Sequence, residues 1–385
     1  MFRNAYTLPF RLLGIPVRLD LSFLLILLLF TWMIGLQVGV FTRLFNALLG
    51  LTIDLRPLVR GGTPFLLGFL STLGLFVGVA LHELGHAVVA RRFGVQVKDI
   101  TLMFLGGVVQ FDEMPRQRGA EALVAIAGPI TSLLIAGVCW FVLQAVPTGF
   151  DATLFVLAFL TFQNVVLALF NLLPALPLDG GRVLRSLLAL RLPYLQATEI
   201  SAAISRIIAL LLGFYGVLNL NLLLVILAFF IYTAVRGETQ YAQTSELLAG
   251  LQVRDLMTRE VISVEPDWPV SQLMQLMLIR KHLGYPVLED GRLVGFVKLQ
   301  HVRDLDEGTT VRDIMAREVS TIAPEASAVE AFRRISERDL GRLVVVDARG
   351  EMVGILSKTD LIRTLQVRLV GSEVRPSPSS SPGGA

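Results

Sequence analysis

Six apolar stretches, each long enough to cross a bilayer, constrain this chain of 385 residues more than any other feature. A membrane-spanning helix needs about 20 mainly apolar residues, because lipid offers its backbone no hydrogen-bonding partners. The stretches lie at 19–40, 64–90, 121–146, 153–176, 198–215 and 217–235. We therefore predict an α-helical domain that crosses the membrane about six times.

Charged residues divide the chain into two parts. Residues 1–235 contain 10 acidic and 15 basic side chains, whereas the shorter segment 236–385 contains 21 and 19. The first part is predicted to lie in the membrane and the second to be soluble. Neither part has a basic patch with interleaved aromatic residues, so nucleic acid is not an expected partner.

Arginine and lysine residues predict the orientation. They cluster before the first stretch and after the second, fourth and sixth, whereas the loops on the other side contain only Arg43, Arg56 and Arg60. Because basic residues favour the cytoplasmic side, both termini are predicted to be cytoplasmic. The chain is then a multi-pass protein of the cytoplasmic membrane.

The segment 95–115, between the second and third stretches, differs from its neighbours. It alternates polar and apolar residues, is rich in β-branched side chains and contains Gly106 and Gly107. This pattern predicts a small membrane-associated β-hairpin, shielded by protein or lying at the interface. An ordinary cytoplasmic loop is the alternative.

The second stretch contains "HELGH", residues 82–86, toward its cytoplasmic end. Positions four apart share one face of a helix, so His82 and His86 can direct ring nitrogens at one zinc ion about 2 Å away. Glu83 is placed to act as a general base. An ionisable residue in the middle of a membrane helix costs about 2.5–3.5 kcal/mol, which favours a functional role over two structural core histidines.

Catalytic zinc usually has three protein ligands, and the membrane part offers no further histidine or cysteine at a suitable place. Asp179 differs from the other carboxylates of the membrane part, because Asn171, Pro174 and Pro177 precede it in an apolar stretch. Prolines interrupt a helix, and unwound backbone at membrane depth must face protein or a wet cavity. Asp179 is therefore predicted as the third ligand. A cytoplasmic turn followed by an N-capped helix is the alternative.

Two motifs, "HELGH" at residues 82–86 and "NLLPALPLDGG" at residues 171–181, resemble those of the site-2 protease family of intramembrane zinc metalloproteases. The resemblance implies one zinc ion per chain on the two histidines and Asp179, with Glu83 as catalytic base. It also implies that Asn171 helps to hold the substrate or the oxyanion. Many members have asparagine where this chain has Ser132, and Ser132 is not included in the predicted site.

The soluble part repeats itself. "VRDLMTREVISVEP" at residue 253 is similar to "VRDIMAREVSTIAP" at residue 311, and each unit has the pattern strand, helix, strand, strand, helix. A direct repeat of this size indicates two units that share a core. The pair resembles a cystathionine-β-synthase (CBS) domain pair, an α/β module that in many proteins binds adenine nucleotides.

The second copy ends in "GILSKTD", as nucleotide-binding members of that family do. The resemblance implies that Ser357 and Thr359 reach phosphate and that Asp360 reaches the ribose hydroxyls. The first copy has Lys298 and His301 at the corresponding positions, so one nucleotide site at most is expected. A purely structural pair is the alternative.

The predicted organisation has five parts: a membrane metalloprotease domain at 1–235, a linker at 236–252, CBS repeats at 253–308 and 309–370, and a disordered tail at 371–385. By resemblance, the chain hydrolyses peptide bonds within or near transmembrane segments of membrane-tethered proteins, and its cytoplasmic CBS pair responds to nucleotide. The pair can also join two copies of the chain. A transporter or channel with a CBS sensor, or an inactive protease-like scaffold, are the alternative functions.

Overall fold

The computed structural model describes residues 6–103, 106–111, 119–302, 308–337 and 340–373. The chain divides into two compact units, residues 2–242 and residues 243–385. The first contains the apolar stretches, and the second contains the repeats.

Long helices dominate the first unit. In its described residues they are, with two shorter ones, α1 (Leu21–Leu49), α2 (Leu55–Leu58), α3 (Thr63–Arg92), α4 (Ala120–Ala145), α5 (Asp151–Asn171), α6 (Asp179–Leu188), α7 (Tyr194–Leu218) and α8 (Leu222–Leu248). All except α2 and α6 are long and apolar enough to cross a membrane, which confirms the six predicted spans. At most 39% of each apolar window is buried inside the protein, as expected of helices that face lipid.

Two of these helices, α1 and α8, extend well past their predicted C-terminal ends at residues 40 and 235. α1 begins after Asp20, whose carboxylate accepts a hydrogen bond from the Ser22 amide, and it ends only at Gly50, where a φ of 66° stops the helix. α8 continues past residue 235 to Leu248, so most of the predicted linker 236–252 is helical. The reason is local, because seven of the twelve residues at 237–248 are Glu, Gln, Ala or Leu, which are good helix formers.

A four-stranded sheet accompanies the helices, in the order β1 (Tyr6–Leu12), β2 (Ile15–Leu19), β3 (Val97–Met103) and β4 (Gly106–Phe111). β3 and β4 are antiparallel and form the hairpin predicted within 95–115. β2 runs parallel to β3, with Val17 opposite Ile100. β1 and β2 are not among the predicted elements.

The sheet is fastened to α3 next to the histidines. Ile15, Ile100 and Ala87 are fully buried in one small apolar cluster, and Ala87 follows His86 directly. On the sheet itself, Arg18 Nη1 lies 3.2 Å from Asp99 Oδ2 and ties β2 to β3. The hairpin is therefore held against the turn of α3 that carries the predicted metal ligands.

The predicted break in the fourth span is present. α5 ends at Asn171, and residues 172–178, which include Pro174 and Pro177, separate it from α6. The Leu176 amide inside the break donates a hydrogen bond of 2.8 Å to Ser205 Oγ of α7. A side chain on Gly181 would collide with the backbone of residues 175 and 176, so α6 starts in close contact with the break.

The second unit contains both repeats. Its described elements are α9 (Val253–Leu256), α10 (Val270–Arg280), β5 (Gly284–Glu289), β6 (Arg292–Lys298), a 3-10 turn (Leu299–His301), α11 (Val311–Ile314), β7 (Thr321–Ile322), α12 (Ala328–Glu337), β8 (Arg342–Val346), β9 (Met352–Ser357) and α13 (Lys358–Glu373). The first strand of the first repeat is reduced to a bridge between Val264 and Val287. From residue 374 onward, the predicted tail lies outside the described residues.

The repeats exchange backbone hydrogen bonds with each other. Thr258 and Ile355 bond in both directions at 2.8 and 2.9 Å, and Phe296 and Ala316 do the same at 2.9 and 3.0 Å. Each pair joins the entry segment of one copy to the last strand of the other. The two copies therefore share one core, as expected from the repeat.

Candidate metal centre

His82 and His86 lie on one face of α3, as their spacing predicted. Their rings are 4.9 Å apart between centroids, and their residues are only 3% and 7% exposed. Two imidazoles are thus enclosed in a bundle of apolar helices. Such groups need polar partners, because burying an unpaired polar group costs about 2–7 kcal/mol.

Asp179 reaches the same point from the first residue of α6. Its Oδ2 lies 3.2 Å from His82 Nε2 and 3.3 Å from His86 Nε2. Ligand atoms placed about 2.0–2.1 Å from a tetrahedral zinc ion lie about 3.3 Å from one another. The three side chains therefore have the donor types and the spacing of a zinc site.

The remaining ring nitrogens are held by α4. His86 Nδ1 lies 2.8 Å from the Val124 carbonyl oxygen, and His82 Nδ1 lies 2.8 Å from Ser132 Oγ. A carbonyl can only accept, so His86 donates this bond from a protonated Nδ1, and in the neutral imidazole Nε2 is then the nitrogen that can bind a metal. The contacts of their Nδ1 atoms with α4 thus fix the orientation of both imidazole rings.

Ser132 was left out of the predicted site, yet it contacts a predicted ligand. Val124, Gly128 and Ser132 follow one another at intervals of four residues, so all three lie on one face of α4. This spacing was visible in the sequence, but what that face packs against was not.

Two glycines give the site its room. A Cβ atom on Gly128 of α4 would collide with the Nε2 atoms of both histidines. A Cβ atom on Gly107 of β4 would collide with the Glu83 side chain. The Glu83 side chain, half-buried beside His82, therefore lies directly against the hairpin.

Asn171 is the last residue of α5. Its Nδ2 donates a hydrogen bond of 3.0 Å to the Leu167 carbonyl in the last turn of α5. The substrate or oxyanion role of Asn171 stays a prediction.

The predicted nucleotide residues lie in the second unit, at the start of α13. Asp360 Oδ2 accepts hydrogen bonds from the Ser357 amide at 2.8 Å and from Ser357 Oγ at 2.6 Å, and Thr359 is exposed. These two residues form a helix cap, which is the structural role of such a pair. A cavity in the same copy is lined by residues that include Ser320, Thr321 and Leu343, and none of the three predicted nucleotide residues lines it.

Known proteins match both parts of the chain. The model of peptidase family M50 matches residues 70–154 and 144–212, which contain "HELGH" and "PLDGG". The model of the CBS domain matches residues 253–308 and 311–367. The two matches correspond to the two kinds of motif in the sequence.

Three similar proteins illustrate the relationship. Zinc metalloprotease MJ0392 of Methanocaldococcus jannaschii is 33% identical over 369 residues, which cover 95% of this chain and 98% of that protein. Stage IV sporulation protein FB of Bacillus subtilis is 32% identical over 193 residues, covering 47% of this chain and 65% of that protein. A solved structure of a site-2 protease from Methanocaldococcus jannaschii is 32% identical, covers 61% of this chain and 95% of that chain, and gives a TM-score of 0.42.

MJ0392 matches this chain almost from end to end, and the family model spans both metal-ligand motifs. The chain belongs to peptidase family M50, the site-2 protease family of zinc metalloproteases, and it carries a C-terminal pair of CBS domains.

Proposed function

We propose that this chain is a zinc endopeptidase that hydrolyses peptide bonds within or near transmembrane segments of membrane-tethered proteins. One observation supports this most strongly. His82, His86 and Asp179 converge within the apolar helices, and Glu83 is next to the first of them. A transporter or channel has no need of a general base beside a metal site, and an inactive scaffold has no need of a complete ligand set.

The residues have distinct tasks in this proposal. His82, His86 and Asp179 would hold the zinc ion. When bound, zinc polarises the scissile carbonyl and makes water acidic enough to lose a proton near neutral pH. Glu83 accepts that proton while the water oxygen bonds to the carbonyl carbon. It then returns the proton to the amide nitrogen as the C–N bond breaks.

The edge of β4 is the proposed binding site for the substrate segment. A transmembrane helix hides its carbonyls in internal hydrogen bonds, so a segment of it must unwind before cleavage. β4 is the last strand in the sheet order, and Val108 on it is 40% exposed. An extended segment paired with β4 would lie close to Glu83, because Gly107 of the same strand contacts that side chain.

The CBS pair is proposed to face the cytoplasm and to bind an adenine nucleotide at its second copy. The asymmetry of arginine and lysine between the loops supports the orientation. The adjacent polar side chains of Ser357 and Asp360 at the start of α13 support the position of the nucleotide site. Nucleotide oxygens would replace the hydrogen bonds that these two residues make with each other.

Replacing the proposed base tests the reaction. The Glu83→Gln variant keeps the size of the side chain but cannot accept the proton, so cleavage of a model transmembrane substrate should fall by at least about 100-fold. Zinc content, measured in the same purified protein, should stay at one ion per chain. The exposed Glu199→Gln on α7 is the matched control. Cleavage by Glu83→Gln at the wild-type rate, or wild-type protein without stoichiometric zinc, would contradict the proposal.

Ser132 provides a test of the metal site itself. Ser132→Ala removes the partner of His82 Nδ1, and zinc affinity, measured by competition with a chelator, should fall about 10-fold. Ser132→Thr retains the hydroxyl and should restore the affinity. Ser71→Ala is the control, because Ser71 is equally buried and its Oγ has no partner among the described residues. Equal losses in both alanine variants would show that the effect is not specific to His82.

Proline substitutions test the strand edge. Successive amides of an antiparallel strand point to opposite edges of that strand. Of Val108→Pro and Val109→Pro, one therefore removes an N–H that points inward to β3, and the other removes an N–H that points outward to the free edge of β4. The substitution that removes the outward N–H should abolish cleavage of the transmembrane substrate without loss of zinc. Val108→Ala, which keeps the N–H, should cleave normally. Undiminished cleavage by both proline variants would contradict substrate pairing with β4.

Nucleotide binding to sealed membrane vesicles tests both CBS proposals. A labelled adenine nucleotide should bind inside-out vesicles but not right-side-out vesicles. Asp360→Ala should weaken this binding about 10-fold, the effect of one lost hydrogen bond of about 1.4 kcal/mol. Asp313→Ala is the control, because it removes a similar cap, between Asp313 and Thr310 at the start of α11. Equal binding by all three proteins would place the nucleotide elsewhere or nowhere.

A further inference from the structure

A buried cluster of charges lies on α6, beyond Asp179. Arg185, only 5% exposed, donates through Nε to Glu121 Oε1 at 3.1 Å, and its Nη2 pairs with the same oxygen. Its Nη1 donates to Glu238 Oε2 at 2.9 Å. The guanidinium carbon also lies 5.3 Å from the centre of the Tyr194 ring. One cation therefore connects α6 with α4, α7 and α8.

The contact with α4 joins the two halves of the metal site. Glu121 is in the first turn of α4, and Val124 in the next turn accepts the hydrogen bond from His86 Nδ1. The Ala122 amide donates to Ser186 Oγ at 3.2 Å, which gives α4 and α6 a second bond at the same level. The helix that orients both histidines is thus fastened to the helix that presents Asp179.

The contact with α8 brings in a helix that has no part in the metal site. Glu238 lies on α8, in the part of that helix that belongs to the first unit. A change in the position or register of α8 would therefore act on Arg185 through Glu238.

We propose that Arg185 is a positioning residue that keeps Asp179 within ligand distance of the two histidines. Its bond to Glu121 sets this distance, and its bond to Glu238 makes the distance depend on α8. Without the guanidinium, the buried Glu121 carboxylate would lose its cationic partner on α6, and α4 and α6 would move apart. The proposal rests on the zinc site proposed above.

Zinc affinity of the full-length protein tests the proposal, because a purely structural arginine would not alter it. Chelator competition should show that Arg185→Gln binds Zn²⁺ at least about 10-fold more weakly than wild type. Arg185→Lys keeps the charge but not the forked geometry, and it should recover part of the affinity. Arg191→Gln removes an exposed arginine shortly after the same helix and should bind Zn²⁺ like wild type.

A second matched pair tests the link to α8. Glu238→Gln should weaken Zn²⁺ binding, though less than Arg185→Gln, because the contact with Glu121 persists. Glu246→Gln changes an exposed residue further along α8 and should have no effect. If both variants of α8 bind Zn²⁺ like wild type, the link to α8 is wrong.

The outcomes separate this inference from the proposed function. Wild-type protein that holds no zinc would overturn both. Stoichiometric zinc in wild type, with an affinity in folded Arg185→Gln within about two-fold of Arg191→Gln, would overturn the role of Arg185 alone. If Arg185→Gln does not fold, the Arg185→Lys variant is measured instead. Wild-type Zn²⁺ affinity in both Arg185→Lys and Glu238→Gln would then overturn the proposal.

Discussion

Two imidazoles buried among apolar helices are the constraint on which the rest of the membrane unit depends. Every nitrogen of His82 and His86 needs a partner, because the surrounding lipid and aliphatic side chains supply none. Their Nε2 atoms share the Asp179 carboxylate, and their Nδ1 atoms have partners on α4. The contacting face of α4 must therefore combine an accessible carbonyl oxygen, a hydroxyl and, at Gly128, no side chain at all.

The same constraint explains why the chain leaves helical geometry after α5. The residue that meets the two histidines comes at the start of a new helix, after an unwound segment of seven residues, 172–178. The buried backbone of that segment is partly satisfied by Ser205 of α7, and Gly181 lets α6 begin in contact with it. On the opposite side, the sheet packs on α3 next to His86, and Gly107 leaves room for Glu83. Two metal ligands and the base are consequently on α3, the third ligand is on α6, and the strand edge is on β4.

The second unit is organised by its sequence repeat and not by a buried polar site. Its two copies exchange equivalent backbone hydrogen bonds, Thr258 with Ile355 and Phe296 with Ala316. This exchange involves only backbone atoms, so it does not require the copies to agree in their side chains. Ser357 and Asp360 can therefore differ from Lys298 and His301 without loss of the shared fold.

The sequence by itself determined the features that depend on local pattern. Hydropathy located the six membrane helices, spacing put His82 and His86 on one face, prolines located the end of α5, and the repeat indicated two similar units in the second part of the chain. Only the tertiary structure decided which distant segments meet. It paired β2 with β3, placed Ser132 on His82, and assembled Arg185 with Glu121 and Glu238. Periodicity reports which side of an element is apolar, but a contact between distant segments depends on how whole elements pack, and no local pattern encodes that.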